Sequence, residues 1–355
     1  MLKKIMIGGG VAVAVVGGFL ADTVIDAGAL KDIEPHFHGQ CDTVRGVVGA
    51  EDITIDPDSG FAYISSHDRR TWTRTGSADG NIFLYRPGSL ARPLPMPHDF
   101  EGPFHPHGIA IWRDETGPDR LFVVNHPDTA DGPLKGVLIS SQIEIFDIDG
   151  GTLKHIRTVT PEAPYSLNDV VAIGPDSFYA SIDKGSETRF GRQLESYGRL
   201  SRGGIAYGDK NGMQKLTDGL VYPNGIQWDG VHLMVAETTG ERLLAFKQGL
   251  EPTDLKLVAK TDIDSGLDNL EWDTDGNLWI GAHPRAIDFP GHAADPLNRS
   301  PSQVLKVTFD GAVFDVTEVY LNDGNPLSGS SVAAPFGKRL LIGSVFEPYI
   351  LDCGM

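Results

Sequence analysis

The sequence predicts an all-β fold, a six-bladed β-propeller, and three observations carry the prediction. Six times along the chain an apolar alternation passes through a turn into a second alternating run, the pattern of two antiparallel strands. The repeats begin at positions 51, 107, 168, 224, 268 and 330, a spacing of about 56 residues that suits blades of several strands. Glycine (43) and proline (23) together make 66 of 355 residues, which favours many short strands joined by tight turns. No amphipathic stretch has the length and period of the crossover helices that a doubly wound sheet needs.

The amino terminus stands apart from the repeats. Lys3 and Lys4 precede an uncharged apolar run over residues 5–21, ended by Asp22. That is the pattern of a secretory signal or signal anchor, and about 17 residues is the lower limit for crossing a bilayer. A buried core strand or helix is the third reading of the run. Residues 1–30 are therefore set apart as signal peptide or anchor, and residues 31–355 as the propeller domain. On either of the first two readings the folded body is exported, secreted or membrane-anchored, in the periplasm or outside the cell. Two cysteines, Cys41 and Cys353, bracket that domain. In an exported protein the simplest reading is one disulfide joining the ends, holding the first blade against the last. Two unrelated buried thiols are the alternative.

The blades follow in order. Residues 51–55 lead into 61–64, 107–111 into 121–124, and 168–172 into 178–180. Residues 224–228 lead into 233–235, 268–272 into 278–280, and 330–334 into 340–342. Runs such as 82–85, 143–146 and 243–246 are read as the outer strands.

Equivalent positions of equivalent strands lie at equal heights around a propeller axis, so the leading register carries the chemistry. There stand Glu51, His107, Asn168, Asn224, Asp268 and Ser330, followed one step later by Asp52, Gly108, Asp169, Gly225, Asn269 and Ser331. Core strand positions ought to be apolar, and buried carboxylates are costly unless paired or bound to a cation. Carboxylate and amide oxygens in this number are the ligand set of calcium, a hard ion that takes six to eight oxygens. Zinc would want more His and Cys. The plain alternative is a ring of polar turn formers at strand ends. With 48 acidic and 30 basic side chains the net charge is −18, which excludes a nucleic-acid partner that needs a positive stripe.

The strings that carry these residues resemble the serum paraoxonase/arylesterase family of calcium-dependent lactonases along essentially the whole chain. They are Gly49-Ala50-Glu51-Asp52, Pro106-His107-Gly108-Ile109, Asn125-His126-Pro127-Asp128, Leu167-Asn168-Asp169, Asn224-Gly225-Ile226, Asp268-Asn269 and Gly281-Ala282-His283-Pro284. The resemblance implies a propeller with two calcium ions in its tunnel. The exposed, catalytic ion would be held by Glu51, Asn168, Asn224, Asp268 and Asn269. The deeper, structural ion would take Asp52, Asp169 and the backbone carbonyl of Ile109. Two departures bear on substrate range. Lys184 stands where the vertebrate enzymes carry a second histidine, and the expected flap at His67-Asp68-Arg69-Arg70-Thr71-Trp72 differs strongly from theirs.

The expected chemistry is hydrolysis of lactones and aryl esters, with acyl-homoserine lactones among the implied substrates and organophosphate cleavage a weak side activity. Calcium acts as the Lewis acid and a neutral imidazole takes a proton from water. His107 is the candidate base, His126 a relay or orienting partner, and Asp268 the rival base. His283 is read as structural, and His105 as facing away from His107. The implied partner is a small hydrophobic lactone or aryl ester, with a membrane tether through the N-terminus. A gluconolactonase-type sugar lactonase and a non-catalytic, calcium-stabilised binding propeller are the competing readings.

Overall fold

Six four-stranded antiparallel sheets make up the computed structural model, which describes residues 23–127, 141–186 and 188–355. Blades 1 to 5 span residues 50–95, 106–159, 166–220, 223–262 and 266–322. Blade 6 spans 330–354 and takes its fourth strand, Gln40–Arg45, from the start of the chain. The inner strands are Ala50–Ile55, Pro106–Trp112, Ser166–Ala172, Pro223–Trp228, Gly266–Trp272 and Ser330–Phe336. Each contacts the next and the sixth contacts the first, so the ring is closed. The six-bladed propeller predicted from the repeats is the observed fold.

Two details differ from expectation. The Cys41–Cys353 disulfide joins the ends of the chain, but it does not hold the first blade to the last. Both cysteines sit in blade 6, directly paired across Gln40–Arg45 and Tyr349–Gly354. The N-terminal strand has been handed to the last blade, so the bridge locks the closing strand within one sheet. Residues 82–85, 143–146 and 243–246 are third strands, not outer ones. The fourth strands are half-exposed and read as mixed polar sequence, Leu255–Asp262 for example.

The apolar core is divided accordingly. Six buried clusters each lie between two neighbouring blades. Phe122, Val124 and Ile145 of blade 2 meet Val170, Phe178 and Ile182 of blade 3, for instance. The central channel is left to polar side chains.

Residues 1–22, which carry the expected signal or anchor run, lie outside the described residues. From Thr23 a helical turn packs on the rim of the propeller, where Ala27 O accepts from Ile287 N at 3.0 Å and Asp26 pairs with Arg199. Among the described residues no helix is long and apolar enough to cross a membrane.

Candidate metal centre and active site

In a regular strand Glu51 and Asp52 would face opposite sides of the sheet. In blade 1, however, pairing passes from Ala50↔Ser66 to Ile53↔Ile64, so three steps on the inner strand span two on its neighbour. Blades 2, 4 and 5 carry the same three-against-two step at the equivalent place, blade 3 carries it between Leu167 and Val170 beside a compensating shift, and blade 6 has a related irregularity between Ser330 and Val332. A bulge re-aims the residues it contains. Here it takes in Glu51-Asp52, Asn168-Asp169 and Asp268-Asn269, which is how consecutive polar residues both come to leave the strand alternation.

The close approach of the blades needs glycine at two of these positions. A Cβ on Gly108 would overlap Asp169 of blade 3, and one on Gly225 would lie 2.5 Å from Asp268 O of blade 5. Two carboxylates then stitch neighbouring blades. Asp52 accepts from Ile53 N (2.8 Å) and Ile109 N (2.7 Å), and Asp169 accepts from Val170 N (2.7 Å) and Ile226 N (2.8 Å). Each pairing reaches 57 residues ahead, one repeat.

Above these carboxylates lies a ring of oxygens without partners. Glu51 Oε2, Asn168 Oδ1, Asn224 Oδ1 and Asn269 Oδ1 are all buried and accept no hydrogen bond. The amide nitrogens are used otherwise. Asn269 Nδ2 donates to Glu51 O and Oε1, both at 2.9 Å, and Asn224 Nδ2 donates to Thr238 Oγ1 at 3.0 Å. Orphaned buried acceptors are rare because each carries its full desolvation cost. Four from four blades, facing one channel, fit a hard cation that takes oxygen ligands. Asp268, the fifth expected ligand, lies at the same level with Oδ2 2.8 Å from His283 Nε2. Among the described residues no three His, Cys, Asp or Glu side chains gather as a metal site by themselves.

The electrostatics agree with a need for positive charge. Burial, and then the neighbouring Asp268, push the Glu51 carboxyl well up. Burial likewise raises Asp52 to about 7, and burial together with Asp52 raises Asp169 strongly. Glu271, buried beside Asp52, is raised for the same reasons. It was not among the residues expected from the register, because it lies three positions past Asp268 on the inner strand.

Glu51, Asn168, Asn224 and Asp268 line a cavity of about 780 Å³, whereas Asp52, Asp169, Asn269 and Ile109 are not on its wall. His107 and His126 line the same cavity with rings 4.9 Å apart. His107 Nε2 lies 3.5 Å from Glu51 Oε1, and Arg69 Nη2 donates to His107 Nδ1 at 3.0 Å. A guanidinium only donates, so in this arrangement the Nδ1 lone pair is taken and the neutral ring carries its proton on Nε2. Burial, with Arg69 beside it, holds His107 well below the usual imidazole range. Burial lowers His126 to about 4 despite Asp183, and its Nδ1 meets Ser141 Oγ at 3.0 Å.

His105 does not face away from His107. It lines the same cavity, stacks on His67 at 4.4 Å, and meets His126 O through Nδ1 at 2.8 Å. Positions two apart share a side of an extended chain, and this is what brings both imidazoles to one wall. His283, read as structural, is the buried partner of Asp268 and also lines the cavity.

The expected flap is a short helix, α1 (Arg69–Thr75), capped by Asp68, whose carboxylate accepts from Thr71 N, and ended by Gly76 at φ 73°. Two adjacent arginines tie it down in different directions. Arg69 reaches Gly49 O (3.2 Å), His67 O (3.3 Å) and His107 in blades 1 and 2. Arg70 reaches Phe346 O (2.9 Å) in blade 6 and His292 O (2.6 Å) in helix α3 (Phe289–Ala294) after blade 5. Helix α2 (Arg189–Gly198) lies on another side of the mouth, with Arg192, Ser196 and Tyr197 on the cavity wall. Apolar groups including Val24, Trp72, Leu167, Ile287 and Phe346 complete it.

The family model for arylesterase matches residues 90–354. The chain belongs to the arylesterase family. It is 30% identical over 336 residues to serum paraoxonase/arylesterase 1 of Mus musculus, covering 90% of each chain. Against serum paraoxonase/arylesterase 2 of Homo sapiens it is 30% identical over 353 residues, 95% of each. As a member of the arylesterase family it is a hydrolase. Regucalcin of Agrobacterium tumefaciens, a calcium-binding protein, superposes with a TM-score of 0.54 at 18% identity, covering 90% of this chain and 94% of that one. At that identity the likeness is one of fold alone.

Proposed function

We propose that this arylesterase-family hydrolase is a calcium-dependent lactonase and aryl esterase acting on small hydrophobic substrates. The observation that carries the reading is the set of four buried, unpartnered oxygens on Glu51, Asn168, Asn224 and Asn269, joined by Asp268 on the cavity wall. These five residues would hold the catalytic calcium. Asp52, Asp169 and the backbone at Ile109 would hold the second, structural ion. Calcium at the upper position supplies the Lewis acidity that favours attack on an ester carbonyl.

The chain's own residues do the rest. The apolar wall admits a hydrophobic ester and excludes water. His107 and His126 are both neutral at physiological pH, because burial depresses them. His107 can serve as the base only once Arg69 lets go of Nδ1, which frees that lone pair to take a proton from water. Asp268 is the alternative base, and His283 Nε2 orients it. The apolar run at residues 5–21 supports a location outside the cytosol, secreted or tethered beside the mouth that Thr23 and Val24 help to line.

Calorimetric titration of chelator-stripped protein with calcium tests the metal assignment. Two sites per chain are expected, and a chain that takes up no calcium contradicts it.

A further inference from the structure

One carboxylate in the channel belongs to neither expected ligand set. Glu271 stands three residues past the leading register of blade 5, where the other blades carry Thr54, Ala110, Val171, Gln227 and Ala333. Of these six it alone is charged. Asn269 and Glu271 are two apart on one strand and so project to the same side, and both reach blade 1. Asn269 Nδ2 donates to Glu51 O at 2.9 Å, and the Thr54 hydroxyl donates to the Glu271 carboxylate. Along that strand of blade 1 come Glu51 on the cavity wall, then Asp52, then Thr54, and neither Thr54 nor Glu271 lines the cavity. The contact therefore lies farther along the channel than Asp52.

Burial makes a charge in this setting costly. Buried carboxylates elsewhere in the protein meet a histidine or an arginine: Glu144 lies 2.9 Å from His155 Nε2, Glu237 2.5 Å from Arg242 Nη2 and Asp352 2.7 Å from Arg339 Nη2. Glu271 is 8% exposed, and among the described residues its partner is a neutral hydroxyl. The charge that acts on it is another carboxylate, Asp52. Neighbouring buried anions are tolerated when a cation sits with them. A calcium ion on Asp52, Asp169 and Ile109 O would find protein oxygens for only part of its six to eight positions, leaving the remainder to water. Outer-shell acceptors that hold such waters orient and tune a metal site.

We propose that Glu271 is an outer-shell anchor of the deeper calcium ion, accepting a hydrogen bond from a water on that ion and adding a third negative charge to those of Asp52 and Asp169. The assignment rests on the metal reading and adds to it a residue outside both ligand sets. It gives Glu271 two effects of opposite sign. With calcium bound, the third charge tightens the site. Without calcium, three neighbouring carboxylates work against the fold.

Calorimetric titration with calcium of the full-length, chelator-stripped chain and of Glu271→Gln tests the assignment. Glutamine keeps the shape and the bond with Thr54 while removing the charge. One of the two calcium sites should weaken by about 10–100-fold, and the other should keep its affinity. Asp268→Ala should retain only the deeper ion, and adding Glu271→Gln to it should weaken that remaining site by the same factor. In excess chelator Glu271→Gln should melt higher than the unaltered chain, because a buried charge has gone. A merely structural carboxylate would give the reverse, so a variant that melts no higher in chelator overturns the assignment. Two unchanged affinities, or a loss confined to the site that Asp268→Ala removes, overturn it as well. If the unaltered chain takes up no calcium, the metal reading falls and the assignment with it; two ions bound with affinities that Glu271→Gln leaves alone sink the assignment by itself.

Discussion

Replacing both cysteines, as Cys41→Ala with Cys353→Ala, removes the one covalent closure of the propeller. The bridge spans a sequence separation of 312, for which chain entropy gives a ceiling of about 5–6 kcal/mol, with about 2–4 kcal/mol the common yield. Without it the N-terminal strand depends on its backbone pairing with Tyr349–Gly354 and on Val44, the one buried side chain of its six. A domain of about 320 residues has a melting entropy of about 0.7 kcal/mol per kelvin. The expected fall in Tm is therefore about 3–8 °C at fixed calcium, read by calorimetry. Hydrogen exchange should localise the change, with the amides of Gln40–Arg45 exchanging first and the inner strands little altered. An unchanged Tm together with unchanged exchange at the N-terminal strand would refute the reasoning, since it would mean that the sixth blade holds its borrowed strand without the bridge.

Asp268→Ala should reduce lactone hydrolysis by about 10²–10⁴-fold and lower the calcium content by one ion per chain, measured by elemental analysis. His107→Gln should slow hydrolysis while calcium content stays the same, which separates a proton-handling role from a metal-holding one. Gly108→Ala should destabilise the fold by at least about 1–3 kcal/mol, the usual cost of overpacking, because the new methyl meets Asp169 in the next blade; a denaturant melt reads it. In calcium-free protein Asp52 binds its proton more tightly folded, at about 7, than unfolded. The folded state then holds the extra proton between the ordinary carboxylate range and pH 7, so stability falls as pH rises through that window. Calcium replaces the proton, so chelation should lower Tm more at pH 8 than at pH 5.

Much of this was legible in the residues because a propeller writes its geometry as a repeat. The 57-residue step that links Asp52 to Ile109 and Asp169 to Ile226 is the repeat itself, and polar residues at its leading register had no apolar explanation. Alternation alone would still have sent Glu51 and Asp52 to opposite faces. The bulge that turns both toward the channel is a property of two strands together. The borrowed strand of blade 6 was illegible for a similar reason: a terminal cysteine pair says that the ends meet, not which sheet they share. Arg69 could not be placed beside His107 from spacing, as 38 residues and a blade boundary separate them. The pairing of His283 with Asp268 was open to reading from the strand register, because His283 ends the strand directly opposite the start of the one that carries Asp268.

The central claim is that oxygens on the inner strands hold a calcium ion that ester hydrolysis requires. Its most direct test is the rate of long-chain acyl lactone hydrolysis by the full-length chain as free calcium is varied with a chelating buffer. The account predicts that turnover vanishes in excess chelator and returns saturably with calcium. Undiminished turnover in chelator, by protein shown to be metal-free, would contradict it.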